Sequence, residues 1–365
     1  MEPAFSSTRQ AAAFAFLLLV LLLLPALLGK TALPPREQLY SAVPWRFGPY
    51  PYLHQAIFDQ KDDIDIAFVG ASTILWGIDT PYVENALTKE LGRKASVTTV
   101  AWNWAGFDAL YFIAQDLLQN RKVHTIVFSD VTRDDERPHE AAPYWFRFGD
   151  NAEAIRGIPF RDTAQYYFAA ILGMPRNLLS LIRPNSSDYL FSPSRLKIPG
   201  VESDAENPAT ALGSLAIKIG FDFRQSVDFV PASNASPSDA LIYSSAAADK
   251  FRFSKDPIPP LQLHFARKFA ALARMHGARL ILITLPRTDN PSSPFIQNRE
   301  FWPEMMGSDV TMLGIPPAKL FPGMAPDAID KLFFNKDHLN KNGQEYFTRL
   351  VTPALLKAYE TQAND

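Results

Sequence analysis

Two residues whose side chains could together carry out acyl transfer lie far apart in the chain, Ser72 and His338. Ser72 follows residues 66–69, a short, apolar and partly β-branched run that predicts a strand buried on both faces of a parallel sheet. Gly70 allows a sharp turn after that strand, and a helix starting there would offer free N–H groups to developing negative charge. Ser72 is therefore the candidate nucleophile, with capping of the helix as the alternative.

His338 is the candidate general base because it precedes a predicted C-terminal helix and stands beside acidic and amide side chains. In a doubly wound domain such a segment returns to the crevice at the carboxyl ends of the strands. A histidine placed there could accept the serine proton and return it to a leaving group. Among the other histidines His139 is the reserve candidate. The remaining four occupy linker, strand-entry or helical contexts and are interpreted as structural: His54, His124, His264 and His276.

The sequence around these residues alternates strands and helices. Strands are predicted at residues 97–101 and 123–128, with helices at 80–91 and 108–118 between the first three strands. Crossovers between parallel strands place the carboxyl-end loops at one edge of the sheet. Four loop residues should converge at that edge: Ser72, Asn103, Gly106 and Ser129. The α/β pattern resumes later in the chain with a helix, two strands and a last helix, at residues 261–276, 279–285, 310–313 and up to about 359.

Composition excludes several other classes of protein. The 365 residues contain no cysteine, which rules out disulfides, thiolate zinc sites and a thiol nucleophile. A net charge of -2 and a pI near 6.3 argue against a nucleic-acid binder. No histidine pair at helical spacing and no phosphate-binding glycine loop is present, so neither a metal nor another cofactor is predicted.

The N-terminal part of the chain predicts attachment to a membrane. After a short tail at residues 1–10, residues 11–29 form an apolar run without a charge, which predicts a transmembrane anchor. A cleaved signal peptide is the alternative. Arg9 lies on one side of the run and Lys30 with Arg36 on the other, so the distribution of basic residues does not fix the orientation. The simplest topology places all residues after the anchor outside the cytoplasm.

The anchor is followed by a predicted tether and then by one large domain. Residues 30–62 are rich in proline and aromatic residues, which predicts an extended tether near the membrane. Trp45, Tyr50 and Tyr52 would lie at the lipid headgroups or pack on their own domain. The domain itself covers residues 63–359, with an insertion at about 133–260 that could cover the crevice. Within the insertion two stretches are predicted to be disordered, at residues 202–211 and 232–248.

Three motifs follow one another along the chain: Gly70-x-Ser72-x-x-x-x-Gly77, the turn at Gly106 after the second strand, and Asp337-His338-Leu339-Asn340-x-x-Gly343. In type and order they resemble the motifs of SGNH/GDSL-like hydrolases. More narrowly, the chain resembles the membrane-anchored bacterial branch that includes the alginate O-acetylation proteins and the D-alanyl-transfer protein of teichoic acid synthesis. The resemblance covers roughly residues 63–131 and 261–359.

The resemblance implies a flavodoxin-like three-layer sandwich in which Ser72 attacks an ester carbonyl and His338 takes the hydroxyl proton. The backbone N–H groups of Ser72 and Gly106 would bind the oxyanion. The chain departs from the family at the third-strand loop, where the usual oxyanion asparagine is not evident, and Asn103 is the possible substitute.

A second departure concerns the group that orients the histidine. The position three residues before His338, where the family usually has a carboxylate, is Asn335. Asp337 is the immediate neighbour of His338, and adjacent side chains of an extended segment point apart. Asp337 could therefore orient the imidazole only if the backbone turns there, and the sequence leaves Asp337 and Asn335 as alternatives.

The expected function is that of a serine acyltransferase or esterase. Its substrate would be an O-acyl group on a cell-envelope or exported polysaccharide, and acetyl is the acyl group that we expect. The expected location is the bacterial inner membrane, with the main domain in the periplasm and a multi-spanning membrane acyl carrier as a partner. The alternative is a catalytically inactive SGNH-like scaffold or glycan-binding subunit of an envelope assembly.

Overall fold

The computed structural model describes most of the chain, in two compact units. The described residues are 5–29, 34–43, 50–104, 106–129, 137–182, 241–244, 259–287, 307, 310–315, 317–335 and 337–361. The first unit comprises Met1–Pro44 and Arg137–Tyr189, and the second comprises Trp45–Glu136 and Leu190–Asp365.

Helices and strands are numbered separately in chain order. The helices are α1 Thr8–Gly29, α2 Gln38–Ala42, α3 Tyr50–His54, α4 Ser72–Gly77, α5 Thr80–Leu91, α6 Phe107–Asn120, α7 Ala142–Trp145, α8 Phe148–Asn151, α9 Phe160–Ile182, α10 Pro260–Met275, α11 Pro317–Leu320, α12 Pro326–Asp330 and α13 Lys341–Thr361. The strands are β1 Ile64–Gly70, β2 Val97–Ala101, β3 Val123–Ser129, β4 Leu241–Ser244, β5 Arg279–Ile283, β6 Thr311–Gly314, β7 Phe333–Asn335 and β8 His338–Leu339.

The second unit is built on a six-stranded sheet with the strand order β2-β1-β3-β5-β6-β4. Five strands pair in parallel, and β4 joins the edge of the sheet antiparallel to β6. All seven residues of β1 are buried, as expected for a strand that is covered on both faces. The structure therefore confirms the predicted α/β fold with a parallel sheet.

The C-terminal part of the second unit combines a short hairpin with a long helix. Strands β7 and β8 pair antiparallel, with Asn335 opposite His338. The side chain of Asn340 accepts a hydrogen bond of 3.0 Å from the N–H of Gly343 and so caps the start of α13. A Cβ atom on Gly343 would lie 2.0 Å from the carbonyl oxygen of Leu332. Glycine at this position therefore allows α13 to approach the hairpin that carries His338.

The first unit contains α1, α2, α7, α8 and α9. Helix α2 packs against α7 and α9. Arg147 connects the segment before α2 to α8, because it donates to the carbonyl oxygen of Pro34 and forms an ion pair with Asp150. Its backbone N–H also donates to the side chain of Asn151 at 2.9 Å.

The prediction of an extended tether over residues 30–62 is wrong for much of this stretch. It contains α2, α3 and a π-helical turn at Gln55–Asp59. Tyr50 and Tyr52 are buried within the second unit and do not form an exposed headgroup anchor, and Trp45 lies outside the described residues. Arg121 fixes the turn by donating to the carbonyl oxygen of Ala56 at 2.7 Å. Burial of apolar side chains therefore outweighs the helix-disfavouring effect of the prolines.

Part of the insertion is also more regular than predicted. Helices α7 and α8 lie in it, and so does β4, which falls within the stretch 232–248 that is predicted to be disordered. That prediction is wrong for β4, because its backbone pairs with β6. The other stretch, residues 202–211, lies outside the described residues.

Helix α1 exposes apolar side chains along its length, including Phe14, Phe16 and Leu17. Within the described part of the chain, no helix combines the length and the apolarity that a membrane crossing requires. The prediction of a transmembrane helix at residues 11–29 is thus unsupported by the structure.

Candidate active site

Ser72 lies at the carboxyl edge of the sheet, at the start of α4 and two residues beyond β1. Gly70 makes this position possible, because a Cβ atom there would lie 2.8 Å from Cγ1 of Ile74 and 3.3 Å from Oγ of Ser129. The carbonyl oxygen of Gly70 accepts a hydrogen bond of 3.1 Å from the N–H of Trp102, just beyond β2. The two neighbouring strands therefore support the turn that presents Ser72.

The 333–339 hairpin brings His338 to Ser72. Strand β8 packs against α4, and Oγ of Ser72 lies 2.8 Å from Nε2 of His338. This is a hydrogen-bond distance between two side chains that are 266 residues apart in the chain. The structure thus brings together the two residues that the sequence predicted as nucleophile and base.

Asn335 holds the other side of the imidazole. Its Oδ1 atom lies 2.9 Å from Nδ1 of His338 and accepts the backbone N–H groups of Asp337 at 2.9 Å and His338 at 3.0 Å. Two backbone donors require an oxygen at this position, which fixes the orientation of the amide. An oxygen acceptor requires the proton of a neutral His338 to be on Nδ1. Nε2 then carries a lone pair towards Ser72, as a general base must.

Asp337 does not take the orienting position. Its carboxylate forms an ion pair with Arg287, with Nη2 and Oδ1 2.5 Å apart. Of the two alternatives that the sequence left open, the geometry selects Asn335 as the partner of Nδ1. The side chains of Asp337 and His338 have different partners, which are Arg287 and Asn335 respectively.

The surroundings favour the neutral form of His338. Burial lowers the pKa of His338 below its ordinary value of 6.5, the carboxylate of Asp337 raises it, and the guanidinium of Arg287 lowers it. The net direction is downwards, so the imidazole is neutral at pH 7 and able to accept a proton.

Gly106 and Asn103 lie beyond the end of β2, at the same edge of the sheet as Ser72. Both are buried, and Gly106 has a φ of 159° at the start of α6. The next N–H group, that of Phe107, donates to Oε1 of Gln262 at 2.6 Å. Gly106 and Asn103 thus lie at the edge of the sheet where the sequence predicts them. Their role in an oxyanion hole stays a prediction.

The reserve candidate His139 belongs to the first unit. It is buried, and its Nδ1 accepts a hydrogen bond of 3.0 Å from the N–H of Ala141. This contact stabilises the turn before α7, which is a structural role.

Sequence reasoning missed Arg287 and Trp104. Arg287 follows β5 and carried no motif that would connect it with Asp337. Trp104 has a left-handed φ of 64° and exposes 45% of its surface in the loop between Asn103 and Gly106. Non-glycine residues with positive φ are uncommon and cluster at functional sites, but only the backbone coordinates reveal them.

No family model matches the chain, and no curated protein matches it. Within the described residues no group of three or more histidine and acidic side chains is arranged to hold a metal ion. The geometry of Ser72, His338 and Asn335 is therefore the main indication of function.

Proposed function

We propose that the second unit is an SGNH-like serine acyltransferase or esterase. The observation that carries the proposal is the continuous hydrogen-bonded series from Ser72 through His338 to Asn335, with distances of 2.8 Å and 2.9 Å. A nucleophile bonded to a base, and a base oriented by a third group, is the general arrangement of covalent acyl transfer.

The reaction begins when Oγ of Ser72 attacks the carbonyl carbon of an ester while its proton moves to Nε2 of His338. The tetrahedral intermediate collapses to acyl-Ser72, and the imidazolium gives the proton to the leaving alcohol. A sugar hydroxyl or water then attacks the acyl group, and its proton passes to Nε2. Asn335 keeps the imidazole oriented in both half-reactions.

The developing oxyanion would be bound by backbone donors at the same edge. The N–H of Ser72, as the first residue of α4, has no acceptor within its own helix. The N–H of Gly106 is the second donor, and Asn103 is the amide that substitutes for the asparagine missing after β3. Each preset donor of this kind lowers a barrier by about 3–4 kcal/mol.

The strand order supports the SGNH-like, flavodoxin-like assignment. The parallel strands lie in the order β2-β1-β3-β5-β6, which is the order of flavodoxin-like domains. In that order the direction of winding reverses between β1 and β3, and ligands bind at the carboxyl ends near this reversal. Ser72 follows β1 directly and lies at this position.

We assign an O-acetyl group on a cell-envelope or exported polysaccharide as the substrate, on the basis of the resemblance of the motifs. Transfer is tested by incubating the protein with an activated acetyl ester and a glycan and analysing the glycan by mass spectrometry. We expect acetylated glycan with the wild type and none with Ser72→Ala. Release of free acetate alone would count against transfer and leave an esterase.

Association with a bacterial inner membrane through residues 11–29 is part of the proposal, with the second unit in the periplasm and a multi-spanning acyl carrier as its partner. It is supported by the exposed apolar side chains of α1. Replacing Leu18 and Leu22 by lysine is expected to release the protein from the membrane fraction, because two charges on the exposed apolar surface of α1 weaken its contact with the bilayer.

The matched control places the same two lysines at exposed positions of the second unit, Tyr82 and Met275. The control protein should stay in the membrane fraction through alkaline carbonate extraction. If both variants behave like the wild type, residues 11–29 do not attach the protein to the membrane.

A second candidate function is an inactive SGNH-like scaffold or glycan-binding subunit. Two observations favour it: an amide replaces the orienting carboxylate at Asn335, and the nearby carboxylate of Asp337 is paired with Arg287. A scaffold does not require an activated serine, so reaction of Ser72 with a fluorophosphonate distinguishes the two functions.

A further inference from the structure

An ion pair lies directly beside the candidate base. Arg287, in the segment after β5, and Asp337, in the turn before β8, are 2.5 Å apart. Their side chains are 43% and 30% exposed, so the pair is only partly screened by water. Asp337 is adjacent to His338 in the chain, and this places one anion and one cation within reach of a single imidazole.

Asp337 makes two separate contacts beside the base, one through its backbone and one through its side chain. The backbone N–H of Asp337 donates to Oδ1 of Asn335 and helps to hold that oxygen against the imidazole. The carboxylate of Asp337 contacts Arg287. Both ring nitrogens of His338 have partners, Ser72 on Nε2 and Asn335 on Nδ1.

We propose that Arg287 is a positioning residue of this site: it holds the carboxylate of Asp337 in an ion pair, so that Asn335 orients His338 and no uncompensated negative charge lies beside the imidazole. The inference rests on the proposed function in so far as His338 is the base. The geometry of the ion pair and of the imidazole does not depend on it.

The charged groups around His338 affect the pKa of the imidazole as well as its orientation. Helix α4, which packs against β8, contains no acidic, basic or histidine side chain. In the first two turns of α13 the charged residues are Lys341 and Glu345, and both are exposed. Among the residues that the structure describes, Asp337 and Arg287 are the charged groups that shift the pKa of His338, and Asp337 raises it while Arg287 lowers it.

The test is a double-substitution cycle on the full-length protein in detergent. The four proteins are the wild type, Arg287→Gln, Asp337→Asn and the double variant. The rate of inactivation by a fluorophosphonate is measured against pH, since its midpoint on the acid side reports protonation of the base. The ring signals of His338, identified by their loss in His338→Gln, give the same midpoint by NMR without requiring any reaction.

Arg287→Gln should move the midpoint to higher pH, because the charge of Asp337 is no longer balanced. Asp337→Asn should move it to lower pH, because the charge of Arg287 remains alone. Each shift should be about 0.5–1 pH unit, and the double variant should return close to the wild type. Arg287→Lys, which keeps the charge, should also stay close to the wild type.

General damage to the fold would not produce shifts of opposite sign that cancel. Shifts in the same direction, or no shift in either single variant, would overturn the proposal. If the wild type does not react with the fluorophosphonate, the proposed function fails, but the NMR midpoints still decide the role of Arg287.

Discussion

Ser72→Ala is expected to abolish the covalent adduct that a fluorophosphonate forms with the wild-type protein. The reagent requires a serine whose proton can be removed, and Oγ of Ser72 lies 2.8 Å from Nε2 of His338. His338→Ala should leave the serine in place but slow its labelling by about 10²–10⁴-fold, the usual contribution of a general base. Labelling rates and mass-spectrometric mapping of the adduct measure both effects.

Two control variants test whether labelling requires Ser72 and His338 themselves or is affected by the loss of any serine or histidine. Ser129→Ala removes another buried hydroxyl at the carboxyl edge of the sheet, at the end of β3. His276→Ala removes an exposed imidazole beyond α10. Both should be labelled at the wild-type rate. No adduct on folded wild-type protein would make the scaffold function the better account. An adduct on a serine other than Ser72 would contradict the assignment of Ser72 as the nucleophile.

The sheet was largely predictable because its strands are continuous apolar runs. Strand β2 begins and ends at the predicted residues 97 and 101, and β3 extends one residue beyond the prediction. Parallel topology then placed the loops after these strands at one edge, and a C-terminal segment with His338 had to return to that edge. The meeting of Ser72 and His338 therefore follows from pattern and topology.

Other features depend on tertiary contacts that no local pattern encodes. The short helices α2 and α3 are too short to be stable alone, and they exist because side chains such as Leu39 and Leu53 are buried. The choice between Asn335 and Asp337 depends on hydrogen bonds within one turn. The partner of Asp337 follows a different strand, so Arg287 could be found only from coordinates.

Asn335→Asp is expected to give the second large effect, because a carboxylate at this position would stabilise the imidazolium of His338 more than the amide does. Oδ1 of Asn335 already accepts three donors, including Nδ1 of His338. Asn335→Asp keeps an oxygen at that position and adds a negative charge beside the imidazole. A carboxylate so close favours the charged imidazole by about 1–3 pKa units, which is about 10–1000-fold in the stability of the imidazolium that forms during attack.

We therefore expect Asn335→Asp to react faster with a fluorophosphonate at neutral and alkaline pH, and its midpoint on the acid side to move to higher pH. The sign follows from the direction of the pKa change: the base must be neutral, and a raised pKa keeps it protonated to a higher pH. Asn335→Ala removes the acceptor and should be slower than the wild type at every pH.

The control is the same substitution at Asn120, an exposed residue at the far end of α6. Asn120 lies about 20 Å along that helix from the edge of the sheet where Ser72 lies, so Asn120→Asp should change neither the rate nor the midpoint. A slower reaction of Asn335→Asp at every pH, with the fold intact, would contradict the orienting role. The amide would then be required as such, for example to let its NH₂ group bind a group that a carboxylate repels.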